Sequence, residues 1–226
     1  MEKRSSLAAV CGHLDGPDAV TLEEVRLPEP GDREVVIAVR AASLNFPDLL
    51  MTYGKYQFRP DMPFIIGMEG AGMVLEKGEG CRRFKIGDRV MFKGKTGACS
   101  QIVVSPEDAL ERLPGNLSFE EGAAFSVTFQ TAYVALSRRG LLKAGETVLV
   151  SGAGGGVGQA SIAVAKALGA RVIAMASHQD KLEIARQSGA DHLIQYSEYR
   201  FAEQVMEITD GQGADVILDP VGGPVL

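Results

Sequence analysis

The residues in this chain whose types and spacing could do chemistry begin with a run of glycines. Thr147-Val148-Leu149-Val150-Ser151 is an apolar, β-type run, and Gly152-Ala153-Gly154-Gly155-Gly156-Val157-Gly158 follows it directly. A small-residue helical stretch then runs from Gln159 to Leu168. Strand, tight glycine turn and helix N-terminus, in that order, open a dinucleotide-binding βαβ unit. The turn needs backbone angles that a Cβ forbids, and a pyrophosphate must approach bare N–H groups at the positive end of a helix. Gly152, Ala153, Gly155, Gly156, Val157 and Gly158 are the candidate binding residues; a purely structural turn is the alternative. The next strand bears on which dinucleotide. An NAD site places an Asp or Glu roughly 20 residues past the glycines, on the ribose 2′-hydroxyl. Here Val172–Ala176 leads into Ser177-His178-Gln179-Asp180-Lys181, with no acid at the strand tip. Ser177 and Lys181 could instead meet an adenosine 2′-phosphate, since an ammonium is a compact counter-charge. That favours NADPH over NADH, against the alternative that Lys181 is a solvated helix residue.

The elements that must position these residues follow from patterning. In 226 residues, 46% hydrophobic and 23% charged, an ordinary globular core in one or two domains is expected. The net charge of −6 argues against a nucleic-acid footprint. No apolar stretch approaches the roughly 20 residues that span a bilayer, and Leu7–Cys11 reads as a first strand, not a signal-peptide core. Cys11, Cys81 and Cys99 are odd in number and far apart, so reduced thiols in a cytoplasmic protein are expected. Up to residue 117, short extended runs alternate with Pro/Gly punctuation, which predicts a barrel-like all-β domain. Ser118 and Glu121 form a capping-box pair opening a helix through 122–137 that stops at Gly140. Strands at 146–151, 171–176, 192–196 and 215–219 then alternate with helices at 157–168, 180–188 and 201–209, the pattern of a parallel sheet.

Several spaced segments resemble one family. Ser43-Leu44-Asn45-Phe46-Pro47-Asp48 is similar to its Asn-x-x-Asp cleft segment, and Pro63–Gly72 (PFIIGMEGAG) to its P-x-x-x-G-x-E-x-x-G stretch. Phe84–Val90 is similar to the following Gly-Asp-Arg-Val turn, Thr128–Tyr133 to the helix joining two domains, and Asp215–Gly223 to the fourth nucleotide-domain strand and its loop. Together these resemble the quinone oxidoreductase (zeta-crystallin-like) branch of the zinc-free medium-chain dehydrogenase/reductase superfamily. The resemblance implies an α/β protein. A GroES-like β-barrel domain would span 1–117, and a doubly wound (Rossmann) domain with its linking helix 118–226. It places Asn45 and Asp48 in the cleft, Tyr56 near nicotinamide or substrate, and Thr131 facing the nicotinamide. It sets Ser177, Lys181 and Tyr196 at the 2′-phosphate of NADPH. Asn45 and Asp48 would equally serve as caps of the helix near Pro47, Tyr56 could simply pack a loop, and Glu69 could be the buried partner of a basic residue.

No metal is expected. Zinc-dependent relatives carry Gly-His-Glu and a catalytic Cys, whereas Met68 and Asn45 stand in those regions, and a catalytic zinc needs about three protein ligands. Hydride transfer to a quinone or similar conjugated carbonyl needs no Lewis acid, because the acceptor delocalises the charge. A 2-enoyl-thioester reductase using Tyr53 or Tyr56 is one alternative; a truncated nucleotide-binding protein without turnover is the other. A doubly wound domain uses six strands and four are countable here, so the Rossmann domain is expected to be incomplete at its C-terminal end. The family's homodimer contact commonly lies in the missing part, which counts against a dimer. The expected partner is a small-molecule quinone or enone, with no nucleic acid and no membrane.

Overall fold

Strand β1 (Ser5–Cys11) buries Ser6, Ala8 and Val10, with Leu7 exposed and Ala9 half-buried between them, the alternation a strand shows when one face lies on a core. It pairs antiparallel with β2 (Val20–Arg26) and with the short β4 (Phe64–Ile65). A second antiparallel sheet is built from β3 (Glu34–Ser43), β5 (Glu69–Lys77), β6 (Arg89–Lys93), β7 (Ile102–Pro106) and β8 (Leu110–Arg112), in the order β7-β3-β5-β6-β8. The segment between β6 and β7 joins the two sheets: Ala9 N–H donates to Cys99 O (2.8 Å) and Gln101 N–H to Leu7 O (2.9 Å). Val35, Ile37, Val74, Phe84, Val90, Phe92 and Leu110 fill the core. Helix α1 (Phe46–Thr52) buries Met51 against Cys11, Ala19 and Phe64.

The computed structural model describes residues 4–195 and 201–222. It divides the chain into two compact units, Met1–Val127 and Thr128–Leu226. The single helix expected over 122–137 is two helices and a wider turn. Helix α2 (Phe119–Ala123) starts on the expected capping box, with Glu121 N–H on Ser118 Oγ (3.1 Å) and Ser118 N–H on Glu121 Oε2 (2.7 Å). Its Ala123 packs with Ala71, Met91 and Leu113, so α2 belongs to the first unit. Helix α3 (Ser126–Tyr133) begins afresh because Glu69 Oε2 accepts from Val127 N–H (2.7 Å), satisfying an amide that lacks an intrahelical partner. It continues as a π-helical segment, Val134–Arg139, closed by Gly140 N–H on Ala135 O (2.7 Å).

The second unit holds a parallel sheet of β9 (Thr147–Ser151), β10 (Arg171–Ala176), β11 (His192–Gln195) and β12 (Val216–Leu218), in the order β11-β10-β9-β12. Helices α4 (Gly156–Ala167), α5 (Gln179–Gln187) and α6 (Phe201–Ile208) connect the strands. Every residue of β9 is buried, as a strand covered on both faces must be, which explains its unbroken apolar run. The expected Rossmann-type sheet is present, with four strands among the described residues.

Candidate active site

In the second unit the chain leaves β9 through Gly152, whose φ of +61° suits glycine. The glycines that follow do different jobs. A Cβ on Gly158 would lie 2.4 Å from Gly152 O and 2.7 Å from Ala153 Cα, so Gly158 seats α4 against the loop. A Cβ on Gly154 would lie 2.6 Å from Lys181 Cβ, so Gly154 lets α5 close in. Gly155 and Gly156 are exposed, and a Cβ there would meet nothing nearer than 3.4 and 3.2 Å. No packing demand explains Gly155, which is the N-cap of α4 and leaves its outer face open. Gln159 N–H makes the first bond of α4, to Gly155 O (2.9 Å). The amides of Gly156, Val157 and Gly158 thus have no intrahelical acceptor and sit at the positive end of a twelve-residue helix. The loop lies at the carboxyl end of β9, where β10 and β12 diverge to either side, the usual ligand crevice of such sheets. These features form a cradle that fits a pyrophosphate.

Ser177 follows β10, and its Oγ pairs with His178 Nδ1 (2.7 Å) while its carbonyl accepts from Gln195 Nε2 (3.3 Å). His178, itself exposed, is part of this corner. Lys181 is exposed on the first turn of α5, beside Gly154, and its ammonium makes no ion pair among the described residues. Asp180 turns back onto the Lys181 N–H (2.9 Å). Tyr196 lies outside the described residues.

Thr131 is exposed on α3 and lines a cavity of about 410 Å³ together with Arg139, Val157, Leu218, Asp219 and Pro220. Asp219 anchors the loop after β12: it accepts from Val221 N–H (2.9 Å) and Gly222 N–H (3.2 Å). Burial works to raise its pKa, but those N–H groups and the Ser151 hydroxyl outweigh it and hold the carboxyl below its ordinary value.

In the first unit, Asn45 is the N-cap of α1 and Asp48 lies one turn on. Asp48 is 3% exposed; its Oδ2 accepts from Asn45 N–H (2.8 Å) and its Oδ1 from Gly67 N–H (3.1 Å). Burial lifts the Asp48 carboxyl above its usual range, with the two N–H bonds opposing. Gly67, at φ +96°, has no room for a Cβ, which would lie 2.7 Å from Cys99 Sγ. Burial, then the nearby Asp48, push the Cys99 thiol up to about 11, which makes it a poor nucleophile. The Asn45 side chain takes part in the capping box of α1 with Asp48, and its Nδ2 also donates to Glu69 Oε1 (2.9 Å). Glu69, 1% exposed, thus holds an amide and the Val127 N–H, where sequence reasoning named a basic side chain as its partner. Tyr56 is half-buried against the Cys11, Met51 and Phe64 cluster, in keeping with a packing role. Met68 joins the same cluster.

Two family models cover most of the chain: the alcohol dehydrogenase GroES-like domain matches residues 31–146 and the zinc-binding dehydrogenase model residues 156–226. The chain belongs to the medium-chain dehydrogenase/reductase superfamily. Within it, the chain is 40% identical over 223 residues to a quinone oxidoreductase of Pseudomonas aeruginosa, a match spanning 98% of this chain and 67% of that protein. It is 38% identical over 225 residues to the quinone oxidoreductase-like protein 2 homolog of Nematostella vectensis, spanning 99% and 61% respectively. The chain therefore spans about two thirds of the length of these relatives. Among solved structures, Escherichia coli quinone oxidoreductase complexed with NADPH aligns with a TM-score of 0.85 at 32% identity, over 99% of this chain and 67% of that one. The CurK enoyl reductase aligns with a TM-score of 0.88 at 28% identity, over 98% and 68%.

Proposed function

We propose that this chain is the cofactor-binding and cleft-bearing part of a reductase that uses NADPH to reduce a quinone or similar conjugated carbonyl without zinc. One observation carries the cofactor reading: Lys181 lies against the glycine loop with its ammonium unpaired among the described residues, while no acid ends β10. NADPH, when bound, supplies the hydride. The amides of Gly156, Val157 and Gly158 hold the pyrophosphate, and Gly155 leaves room for its approach. Ser177 and Lys181 hold the 2′-phosphate, and the family resemblance adds Tyr196 to that role. Thr131 lines the nicotinamide end. Asn45 and Asp48 orient the substrate in the cleft and Tyr56 flanks it. A thioether at Met68 and an amide at Asn45 are poor ligands for Zn²⁺, which supports a reaction that the acceptor's own conjugation assists. The resemblance to Escherichia coli quinone oxidoreductase with NADPH supports both choices.

Calorimetric titration of the chain with NADPH and NADH tests this reading. Binding of NADPH at least tenfold tighter is expected, since a charge-assisted contact to phosphate contributes about 1.5–3 kcal/mol. Equal affinities would overturn the 2′-phosphate assignment. The likeness to CurK favours a second substrate class, a 2-enoyl thioester. Turnover of an enoyl-CoA in place of a quinone would select it.

A further inference from the structure

At the end of the parallel sheet opposite the glycine loop lies a second cavity, of about 540 Å³. Arg171 opens β10 and His192 opens β11, and both line it, so it sits at the amino ends of the strands. Lys166, from the last turn of α4, and Asp191 complete its polar wall, while Ala170 and Ile208 give it an apolar one. The Asp191 charge is already matched: its oxygens accept from Lys166 Nζ at 2.7 and 2.8 Å, and one also accepts from Val172 N–H at 2.7 Å. The Arg171 guanidinium and the His192 ring are exposed and make no side-chain hydrogen bond or ion pair among the described residues.

Three nitrogen-bearing side chains from three elements, α4, β10 and β11, thus meet one cavity whose single carboxylate is paired. An ammonium carries three N–H donors, so Lys166 keeps one beyond those facing Asp191, and the whole Arg171 fork is free. That set suits an anion with more than two acceptor oxygens. A phosphate ester offers three terminal oxygens, two of which a guanidinium grips at once. The cavity is larger than a phosphate ion needs and falls in the range of small-molecule sites. We propose that it binds a small organic phosphate, with the phosphate on Arg171, His192 and Lys166 and the organic body against Ala170 and Ile208. This site is separate from the proposed cofactor cradle. The five residues of β9, at about 3.3 Å each, put roughly 15 Å between the two. Both ends of the sheet therefore accept a ligand at the same time.

Backbone amide NMR of the chain, titrated with phenyl phosphate, tests the proposal and reports where the probe sits. Saturating shifts are expected at Ala170, Arg171 and His192, with a Kd of roughly 1 mM or tighter. Benzoate, the same ring bearing a carboxylate, should bind there at least tenfold more weakly; equal binding would overturn the assignment to phosphate. Arg171→Gln should weaken phenyl phosphate at least tenfold and leave the NADPH Kd unchanged. The substitution keeps the Arg171 N–H bond to Glu146 O (2.8 Å), so the start of β10 stays in place. Shifts confined to residues 152–158 and 177–181, or undiminished in Arg171→Gln, would overturn the site. Saturation at the cavity with NADPH already bound supports two separate sites, and displacement of one ligand by the other would overturn that separation.

Discussion

Each residue of the glycine loop answers a separate physical demand, and substitutions should separate them. Gly155→Ala is expected to fold with near-normal stability, because its Cβ would meet only Gly152 O at 3.4 Å, yet to weaken NADPH binding severalfold or more by narrowing the approach. Gly158→Ala should do the reverse. Alanine gains about 1 kcal/mol in helix propensity, but a Cβ at 2.4 Å from a backbone oxygen forces the loop and helix apart, a net loss of about 1–3 kcal/mol. Thermal melts beside calorimetry distinguish the two. Lys181→Ala should weaken NADPH binding about tenfold and leave NADH unchanged; a parallel loss for NADH would make Lys181 merely structural. At this scale the sequence was legible where a residue's purpose is local. The loop glycines and the Ser118–Glu121 cap are read from neighbours in the chain. Glu69 was not, because its partners lie 24 and 58 positions away and neither is a charged side chain. The Ser177–His178 pair was visible as adjacent residues, but nothing in the order of residues says that one hydroxyl meets that ring nitrogen.

Among the elements, α4, β10 and the start of β11 are tied at one point by Asp191. It accepts from Lys166 Nζ at 2.7 and 2.8 Å and from Val172 N–H at 2.7 Å. Burial works to raise this carboxyl, but the Lys166 ammonium and the Val172 amide outweigh it and hold it below its ordinary value. A carboxyl depressed in the folded state contributes stability that is present above its unfolded value of about 4 and is lost as pH falls through the folded value. Asp191→Asn should therefore lower Tm at neutral pH and flatten its fall below about pH 4. Melts across pH check this, and added salt should shrink the difference because the pair is partly exposed. Strands with a clear apolar run were legible to within a few residues; β10 spans the expected residues 171–176. The break between α2 and α3 was not, since Ala123 to Ser126 has no Pro or Gly to mark it and the new helix start is satisfied from β5.

Across the whole molecule, the glycine loop and the Ser177–Lys181 corner lie in the second unit and the Asn45–Asp48–Glu69 cluster in the first. Hydrogen exchange with mass spectrometry should read them separately. NADPH at about 100 times its Kd stabilises a binding-competent state by about 2.7 kcal/mol, so peptides covering 152–158 and 177–181 should gain protection. Protection absent from those peptides would move the cofactor away from the loop. The two-unit organisation was legible because alternation gives way to a βαβ rhythm after residue 117, whereas the boundary itself rests on which sheet α2 covers. Among the described residues, both sheets of the first unit use only residues from Ser5 to Arg112. At roughly 5–20 residues per second of synthesis, the first unit has all its strands roughly 5–20 s before the ribosome has made the chain through Leu226. The barrel can close as it emerges, and the Glu69–Val127 bond is the last stitch in it before the parallel sheet begins.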